Sequence, residues 1–264
     1  MIDEIEKAPK EMREMLVSVY NYNSKFLENE EQERFLARIL KAMSIIDRKF
    51  FVLNPEDAYM DTALLIGEGQ TISQPSTVAR MLLLAELKKG DKVLEVGSGS
   101  GWNACLISYI VYPGRVTSID RIAEITKLAG RNIVKLKNSL EKDKSKTVDY
   151  LDIRLITENF FSHVRKVNCT LKGADSCEQL SFSEHPKNKC TCFFDNKKYD
   201  KIIITAGISG EQLEKIEELA GKLLNKNGIL VCPKISGKMI TFKKDDKLNK
   251  LETKEEYVFV PLVE

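Results

Sequence analysis

Three glycines at alternate positions, Gly97, Gly99 and Gly101, close an apolar run, Lys92-Val93-Leu94-Glu95-Val96, and lead at once into a helical one, Trp102–Val111. Glycine lets a backbone turn tightly and lets a ligand approach where a Cβ would clash. Further along, a second apolar run, Val116-Thr117-Ser118-Ile119, ends in Asp120. A carboxylate at the tip of the next strand can accept hydrogen bonds from ribose hydroxyls. In this order the residues describe a site for a nucleoside-containing cofactor; the plainer alternative is a strand-to-helix turn with no ligand.

Spacing separates the cofactor classes. A dinucleotide fingerprint is G-x-G-x-x-G, with the pyrophosphate on the first helical turn. Here the glycines run G-x-G-x-G, Trp102 occupies the slot of the third dinucleotide glycine, and Glu95 just before the turn would repel a pyrophosphate. Glu95 would suit a cationic ligand. The acidic start followed by G-x-G-x-G resembles motif I of S-adenosylmethionine-dependent methyltransferases, whose cofactor carries a sulfonium and an ammonium.

A second chemical segment lies upstream, Leu65-Ile66-Gly67-Glu68-Gly69-Gln70-Thr71-Ile72-Ser73-Gln74-Pro75. From local physics it is either a rigid loop rich in backbone donors or an ordinary helix start with Ser76 as N-cap. The loop resembles the Gly-Glu-Gly-Gln-Thr-Ile-Ser-x-Pro signature of protein-L-isoaspartate (D-aspartate) O-methyltransferases. The flanks Phe50-Phe51-Val52 with Ala58-Tyr59, the strand from Tyr199-Asp200 to Ala206, and the endings 228–233 and 259–263 resemble that family too. The resemblance covers residues 36–136 and 199–264 and implies S-adenosylmethionine as cofactor and isoaspartyl or D-aspartyl peptides and proteins as substrates. It implies Ser73 as the active-site hydroxyl that holds the substrate carboxylate, helped by the backbone of Thr71, Ile72 and Gln74. Cofactor contacts are expected from Glu95, Gly97, Ser98, Gly99, Gly101, Asp120 and Glu158.

The chain departs from the family pattern in two turns and one insertion. Thr157-Glu158-Asn159 stands where a Gly-Asp-Gly type turn is usual; Glu158 can still accept from an exocyclic amine. Thr205-Ala206-Gly207-Ile208 lacks the alanine-rich, proline-containing continuation. Residues 160–198 read as an insertion holding Cys169, Cys177, Cys190 and Cys192 with His163 and His185. Thiolates and imidazoles are zinc ligands, but no C-x-x-C occurs, so a polar excursion with incidental thiols is expected and no metal. Seven Lys or Arg against four Asp or Glu make the insertion mildly basic.

These groups need elements to position them. Residues 1–50 show helical periodicity through Met12, Met15, Leu16 and Val19, then Leu36, Ile39, Leu40 and Met43. A turn-rich connector over 50–69 and a helix over 76–87 follow. Strands at 92–96, 115–119, 152–156, 201–205 and 229–232 alternate with helices at 102–111, 122–136 and 210–224, with a turn at 225–228 and a solvated lysine-rich loop at 137–146. The fold class expected is α/β: a doubly wound, mostly parallel, Rossmann-like sheet with N-terminal helices. A C-terminal antiparallel hairpin pairs 239–243 with 256–261 around Asp245-Asp246. Residues 1–75 form the helical region and substrate loop, and 76–264 the methyltransferase domain.

Composition excludes rather than selects. In 264 residues, 43% hydrophobic and 30% charged, a net charge of +2 marks neither a nucleic-acid groove nor an acidic tail. No apolar run is long enough for a bilayer, and the acidic start Met1-Ile2-Asp3-Glu4 is unlike a signal peptide, so no membrane partner and a cytoplasmic location are expected. Six cysteines there do not read as a disulfide framework. Two alternatives stand beside carboxyl methylation: a diverged methyltransferase acting on RNA or another protein, with Phe193-Phe194 available for stacking, or an inactive S-adenosylmethionine-binding interaction protein.

Overall fold

The computed structural model describes residues 5–6, 8–142, 148–163 and 197–263. Seven strands form one sheet in the order β5-β4-β3-β6-β7-β8-β9. The strands are β3 (Lys92–Val96), β4 (Arg115–Asp120), β5 (Ile153–Thr157), β6 (Tyr199–Ile204), β7 (Leu224–Pro233), β8 (Ser236–Lys244) and β9 (Leu248–Val258). β3 to β7 run parallel; β8 and β9 are antiparallel additions at one edge. Val93, Leu94, Glu95 and Val96 are all buried, as expected of a central parallel strand covered on both faces.

The helices are α1 (Lys10–Asn23), α2 (Glu30–Ile45), α3 (Pro75–Ala85), α4 (Trp102–Val111), α5 (Ala123–Glu141) and α6 (Gly210–Leu223). α1 and α2 bury the apolar stripes expected from periodicity, Met12, Met15, Leu16, Val19 and Leu36, Ile39, Leu40, Met43. Asn29 caps α2 by accepting from Gln32 N at 3.0 Å. Arg80 of α3 pairs with Glu255 of β9 at 3.0 Å, and the Tyr22 hydroxyl meets that of Tyr257 at 3.2 Å, which ties the N-terminal helices to the last strand.

The chain proceeds from β3 outward through β4 to β5, then returns so that β6 lies on the other side of β3. Strand order therefore reverses between β3 and the β6 side, and in such sheets the crevice at the carboxyl ends of those strands is where ligands bind.

Several boundaries differ from expectation. The segment 225–228 is not a free turn: β7 begins at Leu224, and the extra residues are absorbed as an irregularity between the Tyr199–Leu224 and Lys201–Ile229 pairs, with Asn227 at φ 64°. The terminal hairpin turns at Asp245-Asp246, but Lys243 pairs with Asn249 and Ser236 with Val258, so the partner strand starts earlier than 256. α5 runs to Glu141, through much of the lysine-rich stretch, because Leu136 and Leu140 still reach the core. Phe160 and Phe161, assigned to the insertion, belong to the buried core.

Candidate active site

An open cleft lies over the carboxyl ends of β3, β4 and β6, in two lobes that share Gln70, Gly97, Asp120 and Ala206. One lobe runs past Glu158, Phe160 and Phe161. The other holds Thr71, Ile72, Ser73, Ser98, Gly99, Asn103 and Thr205. Beside it stands an antiparallel ribbon, β1 (Leu64–Gly67) and β2 (Gln70–Ile72), in place of the expected rigid loop without strands. Gly67, Glu68 and Gly69 all have positive φ at its tip, which explains the two glycines.

The glycine turn follows from close approaches. Gly97 has φ 97°, and a Cβ there would stand 2.3 Å from Thr205 Oγ1, which donates to the Gly97 carbonyl at 2.7 Å. Gly101 has φ 90° and rests against Ala129 of α5. It meets the neighbouring helix and not the cleft. Gly99 N donates to Asp120 Oδ2 at 3.3 Å, and Ile122 N to Oδ1 at 3.0 Å. Burial pushes the Asp120 carboxyl up, against the pull of these amides and those of Ser98 and Arg121.

Glu95 does not reach the ligand space. It is fully buried beneath the turn, where Oε1 accepts from Asn103 Nδ2 at 2.8 Å and Oε2 from the Ser118 hydroxyl. Ser98 Oγ lies 2.7 Å from Ser118 Oγ, so its hydroxyl points into this network and only its backbone faces the cleft. Burial raises the Glu95 carboxyl to about 8, partly offset by the Ser118 and Asn103 hydrogen bonds, while Asp120 adds to the rise.

Ser73 reaches the cleft with its side-chain hydroxyl making no hydrogen bond among the described residues, and its carbonyl accepts from Arg48 Nη2 at 3.2 Å. Arg48 is wholly buried and also donates to the carbonyls of Ala58, Met60 and Thr62, at 2.8, 3.1 and 2.9 Å. Its guanidinium lies 5.3 Å from the Trp102 ring centre, and Trp102 Nε1 donates to Ile46 O at 2.9 Å. Burial lowers the Arg48 pKa to about 10, with Asp61 opposing, so it is charged at neutral pH.

Of the residues singled out from sequence, Thr71, Ile72, Ser73, Gly97, Ser98, Gly99, Asp120 and Glu158 line the cleft. Gln74 does not; it is the residue before α3, and its side chain turns to Asp61. Ser76 is not an N-cap: it lies inside α3, and Asp61 accepts from its backbone N at 2.9 Å. Cys169, Cys177, Cys190, Cys192, His185 and the Phe193-Phe194 pair lie outside the described residues. Sequence reading missed Arg48 and Asn103. The flanking apolar pairs Ile45-Ile46 and Phe50-Phe51 were the available signal for the first, although Asp47 and Lys49 beside it mask it as a charged surface turn; nothing local marked the second.

The profile of the family described as protein-L-isoaspartate(D-aspartate) O-methyltransferase matches residues 21–153. The protein-L-isoaspartate O-methyltransferase of Ignicoccus hospitalis is 32% identical over 241 residues, 86% of this chain and 89% of that protein. That of Fervidobacterium nodosum is 46% identical over 99 residues, so the chain spans about half that relative's length, 50%, with 36% of its own. A solved Plasmodium falciparum structure, described as a protein-L-isoaspartate O-methyltransferase in complex with S-adenosyl-L-homocysteine, shares the fold with a TM-score of 0.65 at 20% identity, over 96% of this chain and 98% of that one. The glycine turn, the Thr71-Ile72-Ser73 ribbon above it and these matches lead to one assignment: the chain belongs to the protein-L-isoaspartate (D-aspartate) O-methyltransferase family.

Proposed function

We propose that the chain methylates the carboxylate of L-isoaspartyl, and D-aspartyl, residues in damaged peptides and proteins, using S-adenosylmethionine. The observation that carries this is Ser73, which lines the same lobe as the glycine turn, has no hydrogen bond to its hydroxyl among the described residues and has its backbone held by Arg48. The cofactor suits the cleft. Its charged lining is Asp120 and Glu158 with Arg121 as the one cation among the described lining residues, and the Ser73 lobe has Asp120 alone. That is hospitable to a sulfonium and an ammonium and poor for a pyrophosphate. Asp120 would take the ribose, and Glu158 with Phe160 and Phe161 the base.

Bound there, S-adenosylmethionine supplies an electrophilic methyl group. The chain's own work is placement. A substrate carboxylate is already ionised at neutral pH and needs no general base. Ser73 donates a hydrogen bond that fixes one carboxylate oxygen and leaves the other free to attack. The rigid ribbon orients the peptide over the lobe, where effective-molarity gains arise. In the ester so formed the following backbone amide nitrogen attacks the ester carbonyl, losing its proton and expelling methanol, to close a succinimide without help from the protein. Addition of water then reopens the ring and returns some normal aspartate.

Among the described residues no helix is long and apolar enough to cross a membrane, and Cys105 and Cys232 are buried free thiols; both accord with a cytoplasmic setting. Transfer of labelled methyl from S-adenosylmethionine to an isoaspartyl peptide, with the normal aspartyl peptide as control, tests the reading. Isoaspartyl-selective, base-labile label is the expected result; no transfer to either peptide overturns it.

A further inference from the structure

We propose that Asn103 is the residue that receives the cofactor's α-ammonium group, and that Glu95 acts behind it as its positioning residue. The inference rests on S-adenosylmethionine being the ligand of the cleft. It assigns the recognition of its amino-acid arm to a side chain the glycine motif does not include.

Asn103 lies in the first turn of α4, directly after Gly101 and Trp102, and contributes to the wall of the Ser73 lobe. Its two amide ends are treated differently. Nδ2 donates to Glu95 Oε1 at 2.8 Å, whereas Oδ1 is buried and has no hydrogen-bond partner among the described residues. Glu95 Oε1 accepts from the Nδ2 end, so this contact, with Ser118 on Oε2, fixes which end of the amide is turned toward Glu95. The carbonyl end is thereby presented away from Glu95. Serine and asparagine contacts on Glu95 complete this arrangement: Ser118 occupies Oε2, and Ser98 in turn meets Ser118.

A buried acceptor without a donor carries a desolvation penalty that a bound donor would relieve. The donor is identified by position and by charge. Asp120, shared by both lobes, divides the cleft at the ribose. Glu158, Phe160 and Phe161 then leave the base to one side, and the amino-acid arm shares the other side with Ser73. That arm has an ammonium and a carboxylate. The carboxylate would face an acceptor oxygen with a second acid behind it; the ammonium offers three N–H donors and a positive charge. Charge-assisted hydrogen bonds of this type are about twice as strong as neutral ones.

Calorimetric titration of the full chain with S-adenosylhomocysteine and with 5′-methylthioadenosine, which lacks the amino-acid arm, separates the possibilities. Asn103→Leu and Glu95→Leu are each expected to weaken S-adenosylhomocysteine by about 10- to 100-fold and to leave 5′-methylthioadenosine within about threefold. Glu95→Gln keeps an oxygen for Asn103 Nδ2 and is expected to restore most of the affinity. Equal losses for both ligands would mean a structural role for Asn103, and unchanged S-adenosylhomocysteine affinity in Asn103→Leu would mean none; either overturns the inference. If the unaltered chain bound neither ligand, the cofactor assignment itself would fall, and this inference with it.

Discussion

Arg48 Nη2 and the carbonyl oxygen of Ser73 are 3.2 Å apart, so a buried cation grips the active-site loop from behind while the serine hydroxyl stays uncommitted. The same guanidinium holds three carbonyls of the connector, at Ala58, Met60 and Thr62. One side chain thus sets the distance between the connector and the ribbon.

Replacing the buried Arg48 by Met leaves four carbonyls, at Ala58, Met60, Thr62 and Ser73, without their donor. We expect a stability loss of about 3–5 kcal/mol in denaturant titration, the range for breaking a buried charged network. Arg48→Lys keeps the charge but has three N–H donors for four acceptors and lacks the planar fork. It should fall between the two. Equal stability of all three proteins would remove Arg48 from this role.

Ser73→Ala removes one hydrogen-bond donor from the site and nothing from the fold. Methyl transfer to an isoaspartyl peptide is expected to fall by about 10²- to 10³-fold, the usual cost of deleting one oriented donor. Affinity for S-adenosylhomocysteine and the thermal midpoint should not move. Unchanged turnover would refute the assigned role.

Glu95 gives a signed pH effect. Burial lifts its carboxyl from 4.5 to about 8, so between those values the folded chain holds a proton that the unfolded chain has lost. Its contribution is fully present below the unfolded value and is lost as pH rises through the folded one. A full one-proton difference corresponds to about 1.4 kcal/mol per pH unit. Glu95→Gln should flatten the decline between pH 5 and 8, while Asp91 and Asp120, also raised by burial, continue to act in both proteins. Identical slopes for the two proteins would exclude Glu95 as the source.

Gly97→Ala places a Cβ 2.3 Å from Thr205 Oγ1 and forces alanine to φ 97°. Loss of S-adenosylhomocysteine binding and a lowered thermal midpoint are expected. Adding Thr205→Ala removes the collision and leaves the backbone strain, so recovery should be partial. Complete recovery would show the strain to be negligible.

Elements whose pattern repeats were legible from sequence. The α1 and α2 stripes, the β3 to α4 motif and the alternation of parallel strands with helices follow from periodicity and glycine placement, which are local. What escaped depends on partners distant in the chain. The register of β9 is set by β8 across the turn and by Arg80 and Tyr22, which no local pattern encodes. Most of the loop expected at 65–75 is a ribbon because Leu64 and Leu65 find Ile72 and Thr71. In the site, the sequence pointed to the residues around the turn but not to their depth. Glu95 lies one layer deeper than its expected place at the cofactor, where burial raises its carboxyl to about 8, and Asn103, which lines the cleft, is its hydrogen-bond partner. A single sequence shows which residues are near the turn; it does not show which way each side chain points.

Residues 260–263 close the cleft wall beside Ala206, held by Gly207 N on Val260 O at 2.7 Å and Leu262 N on Gly207 O at 2.7 Å. This wall comes from a stretch far in sequence from the glycine turn it stands beside. The same stretch, with Phe259 just before it, also serves the core, since Phe259 is buried in it and Leu262 packs against it. One short segment therefore couples the shape of the cleft to the packing beneath it.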